Sequence, residues 1–227
     1  MSLLLEFNFF LFILFNKKKM DNILDQCSIK ELILFDVTKP MASSSTIITI
    51  AIGAVILNNI IYNIVLRNSS SEYVETLNDE QGSEFDAYRD KNISPAVLGI
   101  SEFINSGIYA PMVEELFFRF LFLKLVLIKI FKFNFHTANF FHAVIFGSLH
   151  MTNAIVADQE FNRTVLQSIM AGFGGLISGY TYKYTNTILT PLLSHFINNM
   201  LSAGSEFIDY ARYYERIVEK FRILTSV

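Results

Sequence analysis

The chain has 227 residues, a formal net charge of -3, 52% hydrophobic residues and 17% charged ones. That length fits one domain, the apolar share exceeds that of an ordinary soluble domain, and the near-balanced charge leaves no electrostatic footprint for nucleic acid. The single cysteine, Cys27, excludes an internal disulfide and a multi-thiolate zinc site. The apolar residues, including 23 Phe, fall into blocks long enough for bilayer spans, which need roughly 20 residues each. The pattern predicts an all-α, polytopic helical membrane protein with about five to seven membrane helices. A soluble protein with Phe-rich core helices is the alternative, because buried helices share this composition.

Residues 3–15 form a short apolar run broken by Glu6 and Asn8 and followed by Lys17, Lys18 and Lys19. A secretory signal carries its basic residues before the apolar core, so this run reads as an extension or interfacial anchor; Met20 offers an alternative start. Residues 1–46 are therefore taken as an N-terminal extension with a candidate anchor. Ile47 to Leu66 is the first clear span, closed by Arg67, and its Asn58, Asn59 and Asn63 should face other helices. Residues 68–92 read as a polar, acidic loop, with seven Asp or Glu against Arg89 and Lys91. From 93 to 132 the chain is again apolar and too long for one span, and Pro111 either starts a helix there or bends one. Further helices are expected over 138–156, 165–182 and 187–203, which makes 93–204 the membrane core. Ala171, Gly175 and Gly179 recur every four residues and let a neighbouring backbone approach closely. Over 205–227, Phe207, Ala211, Tyr214, Val218 and Phe221 fall on one face of an amphipathic C-terminal helix. Basic residues before 47 favour a cytosolic N-side for the first span, with 68–92 and the sequons at Asn68, Asn92 and Asn162 outside; the basic residues of the tail argue the opposite.

Ionisable side chains inside apolar blocks are costly, so each needs a partner or a task. The stretch Ala110-Pro111-Met112-Val113-Glu114-Glu115-Leu116-Phe117-Phe118-Arg119 concentrates three of them. Glu115 and Arg119 are four apart with the acid first, the favoured order for an ion pair along a helix. Glu114 points about 100° away and has no cation four residues on, which leaves it free for general acid–base work. The competing reading puts both glutamates at a solvated helix start, where the helix dipole favours acids. Phe146 and His150 share a helical face, with His142 two turns earlier; a lone buried histidine is more often a satisfied core residue. His195 and Asn199 also share a face, and an imidazole and a carboxamide together can serve an oxyanion. Interhelical hydrogen bonding is their plain alternative. His136 reads as a loop residue. No His-Glu-x-x-His zinc-protease helix is present, and Ser178 lacks the Gly-x-Ser-Gly context of a rhomboid nucleophile.

Glu-Glu-x-x-x-Arg (Glu114, Glu115, Arg119), Phe-x-x-x-His (Phe146, His150) and His-x-x-x-Asn (His195, Asn199) occur in this order on three apolar segments. The flanking text is Phe-Gly-Ser-Leu-His-Met-Thr-Asn around His150 and Leu-Thr-Pro-Leu-Leu-Ser-His-Phe-Ile-Asn-Asn around His195. Over roughly residues 95–204 this arrangement resembles the CAAX-protease and bacteriocin-processing family of intramembrane proteases, which includes the Ras-converting CAAX endopeptidase. Phe120 departs from the glycine that commonly follows the arginine, which alters packing beside the site but removes no catalytic group.

The resemblance implies a helical membrane fold with the site in a cavity between helices. It implies an endopeptidase acting near the C-terminus of prenylated CaaX proteins, or on a similar membrane-associated peptide such as a bacteriocin-type precursor. Carried onto this chain, Glu114 activates a water that His150 helps to hold or deprotonate, and His195 and Asn199 stabilise the oxyanion. Glu115, Arg119 and Phe146 support them. Glu114, His150 and His195 are also a Glu-His-His set able to ligate zinc with an open position, and metal-independent glutamate chemistry is the other reading. The expected partners are the prenylated substrate and the bilayer, in the endoplasmic reticulum of a eukaryote or viral host, or the plasma membrane of a prokaryote. A non-catalytic multi-pass scaffold or binding protein that keeps the motif for packing is the contrasting reading. A transporter is disfavoured, because no inverted repeat of broken helices is visible.

Overall fold

The computed structural model describes residues 28–156 and 159–225. The apolar run at 3–15, the lysines at 17–19 and Cys27 lie outside the described residues. Every described element is helical, as the apolar periodicity predicts. Short polar side chains start most of the helices by accepting an otherwise unpaired N–H. Ser28 caps α1 (Ile29–Ile33) in a reciprocal box with Glu31, and Ser43 caps α2 (Ser44–Asn68) through the Thr46 N–H. Ser70 starts α3 (Ser71–Asp90), and Ser94 starts α4 (Pro95–Glu102), where Pro95 gives up no bond because first-turn N–H groups are unpaired anyway. The chain then stays helical through Phe103–Tyr109, α5 (Ala110–Glu115) and Leu116–Ile130. Asn134 caps α6 (Phe135–Leu149), which tightens at His150–Thr152 and continues as α7 (Asn153–Val156). α8 (Phe161–Thr185) stops at Asn186 in the left-handed conformation, φ 55°, and α9 (Leu189–Thr225) follows.

Several expectations change. Residues 68–92 are not a loop, because α3 occupies most of them. Its apolar residues are too sparse to mark a helix by periodicity, and its order comes from tertiary contacts. Phe85 is buried against Tyr210, with ring centroids 5.3 Å apart. Glu80 accepts the Asn162 and Arg163 N–H groups at 3.3 and 3.0 Å and so caps the start of α8, while Arg163 pairs with Glu84. Second, the last buried helix and the amphipathic tail are one helix of 37 residues. At 1.5 Å per residue it is roughly 55 Å long, well beyond the roughly 30 Å of a hydrocarbon core. Third, His136 lies in the first turn of α6, its Nδ1 2.9 Å from the Tyr180 hydroxyl, rather than in a loop.

Pro111 sits within continuous helix. Its ring conflicts with the carbonyl four residues earlier, and the turn before it is widened, with the Ala110 N–H reaching the Asn105 carbonyl. Leu116–Ile130 is also wound with i→i+5 bonds, the last from Phe131 N–H to the Val126 carbonyl. In that winding, residues five apart come onto nearly the same face, and Arg119, Lys124 and Lys129 are spaced in that way. Lys124 is buried, and its ammonium donates to the Leu34 carbonyl at 2.6 Å and to the Glu31 carbonyl. Lys129 meets the Glu31 carboxylate at 3.0 Å. Two of the three cations in this apolar run are thus answered by α1 and the residue just after it.

α6 and α8 pack with almost no gap, as the small-residue repeat predicts. A Cβ on Gly147 would lie 2.7 Å from the Ser168 carbonyl, and one on Gly175 would lie 3.0 Å from Phe146. Of the three asparagines in α2, Asn58 bonds across to Asn198 of α9 at 3.4 Å. Asn59 and Asn63 instead donate to carbonyls of their own helix, a correction to the expectation that all three face partners. Among the described residues, α2 is the one helix both long and apolar enough to cross a membrane by itself, with a mean hydropathy of 1.9.

Candidate active site

Glu115 is the buried centre of the constellation, 1% exposed. One carboxylate oxygen lies 2.9 Å from Arg119 Nε, which realises the ion pair expected from the four-residue spacing. The other lies 2.8 Å from His195 Nδ1, a contact between elements that no spacing rule reaches. A carboxylate only accepts hydrogen bonds, so this contact puts a proton on Nδ1 and leaves Nε2 on the side of Glu114. The Arg119 guanidinium also stacks over the Phe146 ring, 4.6 Å from its centroid. Its charge is therefore met by an anion at one edge and a π face on one side.

Glu114 takes a different direction, as expected. Its Oε2 is buried, has no protein hydrogen-bond partner, and stands 3.8 Å from His195 Nε2. That separation is too long for a direct hydrogen bond, and one water can contact both atoms.

Phe146 links the two histidine-bearing elements. Its ring contacts His150 at 4.8 Å and His195 at 6.3 Å between centroids, so both imidazoles border one aromatic surface. His150 lies at the point where α6 ends. Its Nδ1 is 2.9 Å from the Phe146 carbonyl, which accepts only, so the proton sits on Nδ1 and Nε2 keeps its lone pair. Asn199 lies one turn after His195 on α9, and its Nδ2 donates to the Ser106 carbonyl at 2.6 Å. Both α9 residues therefore address the helical run that begins at Pro95.

His142 is fully buried with neither ring nitrogen hydrogen-bonded, its ring parallel to Phe146 at 6.3 Å. Spacing placed it on a face similar to that of His150, but gave no reason to expect it unpaired. Among the described residues, no three His, Cys, Asp or Glu side chains gather around one point where a metal could sit. Glu114, His150 and His195 do not form a zinc cradle in this arrangement.

Arg119, His150 and His195 border the Phe146 ring, and Glu114 and Glu115 both border His195. Residues 96–201 match the family described as Rce1-like, the type II CAAX prenyl endopeptidases. The matched segment contains Glu114, Glu115, Arg119, Phe146, His150, His195 and Asn199, and over it the resemblance drawn from the three motifs is borne out. The family is one of membrane proteases. No curated protein and no solved structure matches the chain.

Proposed function

We propose that the protein is a multi-pass intramembrane endopeptidase that removes the last three residues of prenylated CaaX proteins by metal-independent hydrolysis. The observation that carries the reading is the buried, unpartnered Glu114 Oε2 beside His195 Nε2, inside the segment that matches the protease family. Apolar exposure supports the multi-pass arrangement. Ile100 is 63% exposed, Phe140 58% and Leu201 57%, on three helical segments besides α2. Apolar surface of that extent on several helices suits lipid and not water. The wide-turn winding divides 95–130 into short elements, and Gln167, Ser168 and Lys183 dilute α8, so neither presents one long apolar helix.

In this mechanism a water lies against Glu114, with His150 Nε2 as a second acceptor. Glu114 takes a proton as the water oxygen attacks the scissile carbonyl carbon. The tetrahedral oxyanion is met by a hydrogen of Asn199 Nδ2 and, in the imidazolium form, by His195 Nε2–H. The C–N bond then breaks, and Glu114 returns the proton to the leaving amine, giving a carboxylate and a free tripeptide. Glu115 and Arg119 hold His195 and the helix face. The lipid on the substrate cysteine enters from the bilayer, which accounts for a polar site within membrane helices.

Membranes containing the protein, incubated with a farnesylated CaaX peptide, should release the tripeptide, and Glu114→Ala and His150→Ala should each abolish release. Full activity in both variants contradicts the mechanism.

A further inference from the structure

The widened turn before Pro111 has an effect on Asn199. Proline has no N–H, and in a regular α-turn its ring conflicts with the carbonyl of residue 107. The turn widens, and the Ala110 N–H goes to the Asn105 carbonyl, five residues back. This leaves the Ser106 carbonyl short of donors in either register. In an α-turn its donor is the Ala110 N–H, already directed to Asn105. In the wider register its donor is residue 111, which has no hydrogen to give. A backbone carbonyl left unpaired away from water is costly, and Asn199 Nδ2 reaches this one at 2.6 Å. Two features hold the same residue in place. The Ser106 hydroxyl donates to the Glu102 carboxylate at 2.5 Å. A Cβ on Gly107 would strike the Met200 side chain, so the two segments lie as close as glycine permits.

We infer that Pro111 is a positioning residue for Asn199. By removing both backbone donors from the Ser106 carbonyl, it creates the acceptor that anchors one Nδ2 hydrogen and fixes the carboxamide orientation. The second Nδ2 hydrogen is then the donor left for substrate. The inference rests on the proposed role of Asn199 at the oxyanion, and its test separates the two.

Pro111→Ala restores a backbone donor and suits a helix interior; Pro111→Ser does the same and serves as the second variant. In protein labelled with [15N]asparagine in detergent micelles, the Asn199 side-chain amide is assigned by its loss in Asn199→Ala. One of its protons should be exchange-protected in the natural sequence and lose that protection in Pro111→Ala. On a farnesylated CaaX peptide, Pro111→Ala should lower kcat by at least about tenfold with KM changed less than about twofold. In an Asn199→Ala background the same substitution should change kcat by less than about twofold, because the residue it positions is gone. Equal losses in the two backgrounds, or amide protection that survives Pro111→Ala, overturn the inference. If the natural sequence releases no tripeptide while the amide protection behaves as described, the anchoring stands and the endopeptidase reading fails.

Discussion

Glu114 and Glu115 are neighbours in sequence with opposite energetic standing. Glu115 is buried between Arg119 and His195, and removing Arg119 strands its charge. Arg119→Met should destabilise the fold by about 3–5 kcal/mol, measured by denaturant or thermal unfolding in detergent. Glu114 has no such pair, so Glu114→Gln should shift stability by less than about 1 kcal/mol while abolishing hydrolysis. The Glu115–Arg119 pair was legible because both partners lie on one helix four residues apart. The third member, His195, was not, because it is 80 residues away and only the packing of α9 brings it there. A second titratable case lies in α3, where burial pushes the Glu84 carboxyl up from 4.5 against the opposing pull of Arg163. The folded chain then binds this proton more tightly than the unfolded chain does. The contribution is fully present below 4.5 and is lost as pH rises through the raised value. The melting temperature should therefore fall as pH rises above 4.5, and Glu84→Gln should flatten that slope.

The α6–α8 contact leaves no space for an added methyl group at Gly147, while a Cβ on Gly53 of α2 would meet nothing within 4 Å. Gly147→Ala should destabilise by about 1–3 kcal/mol through overpacking. Gly53→Ala should stabilise by about 0.5–1 kcal/mol, since alanine gains helix propensity there at no steric cost. Paired unfolding curves of the two variants check both signs. The contrast also marks what could be read at this scale. Ala171, Gly175 and Gly179 announce a close helix pair by spacing alone. α3 does not announce itself, because Glu80 and Phe85 gain their partners only when α8 and α9 fold over them. The widened turns at 103–109 and 116–130 are equally silent: Pro111 signals a disturbance, but not which carbonyl it frees.

Across the whole molecule, the helical class followed from apolar composition and the family from three motifs on separate segments. Their convergence on one aromatic ring depended on tertiary packing, and so did the fusion of the last buried helix with the tail in α9. Among the described residues α2 alone is long and apolar enough to cross a membrane by itself, because the wide-turn winding shortens the elements over 95–130 and Gln167, Ser168 and Lys183 dilute α8. In the proposed mechanism Glu114 activates a water whose oxygen ends up in the product. Hydrolysis of a farnesylated CaaX peptide in H2(18)O, followed by mass spectrometry of the shortened peptide, tests it directly. One 18O atom should enter the new carboxylate with the natural sequence, and none should enter with Glu114→Gln. Undiminished incorporation in Glu114→Gln would contradict the account.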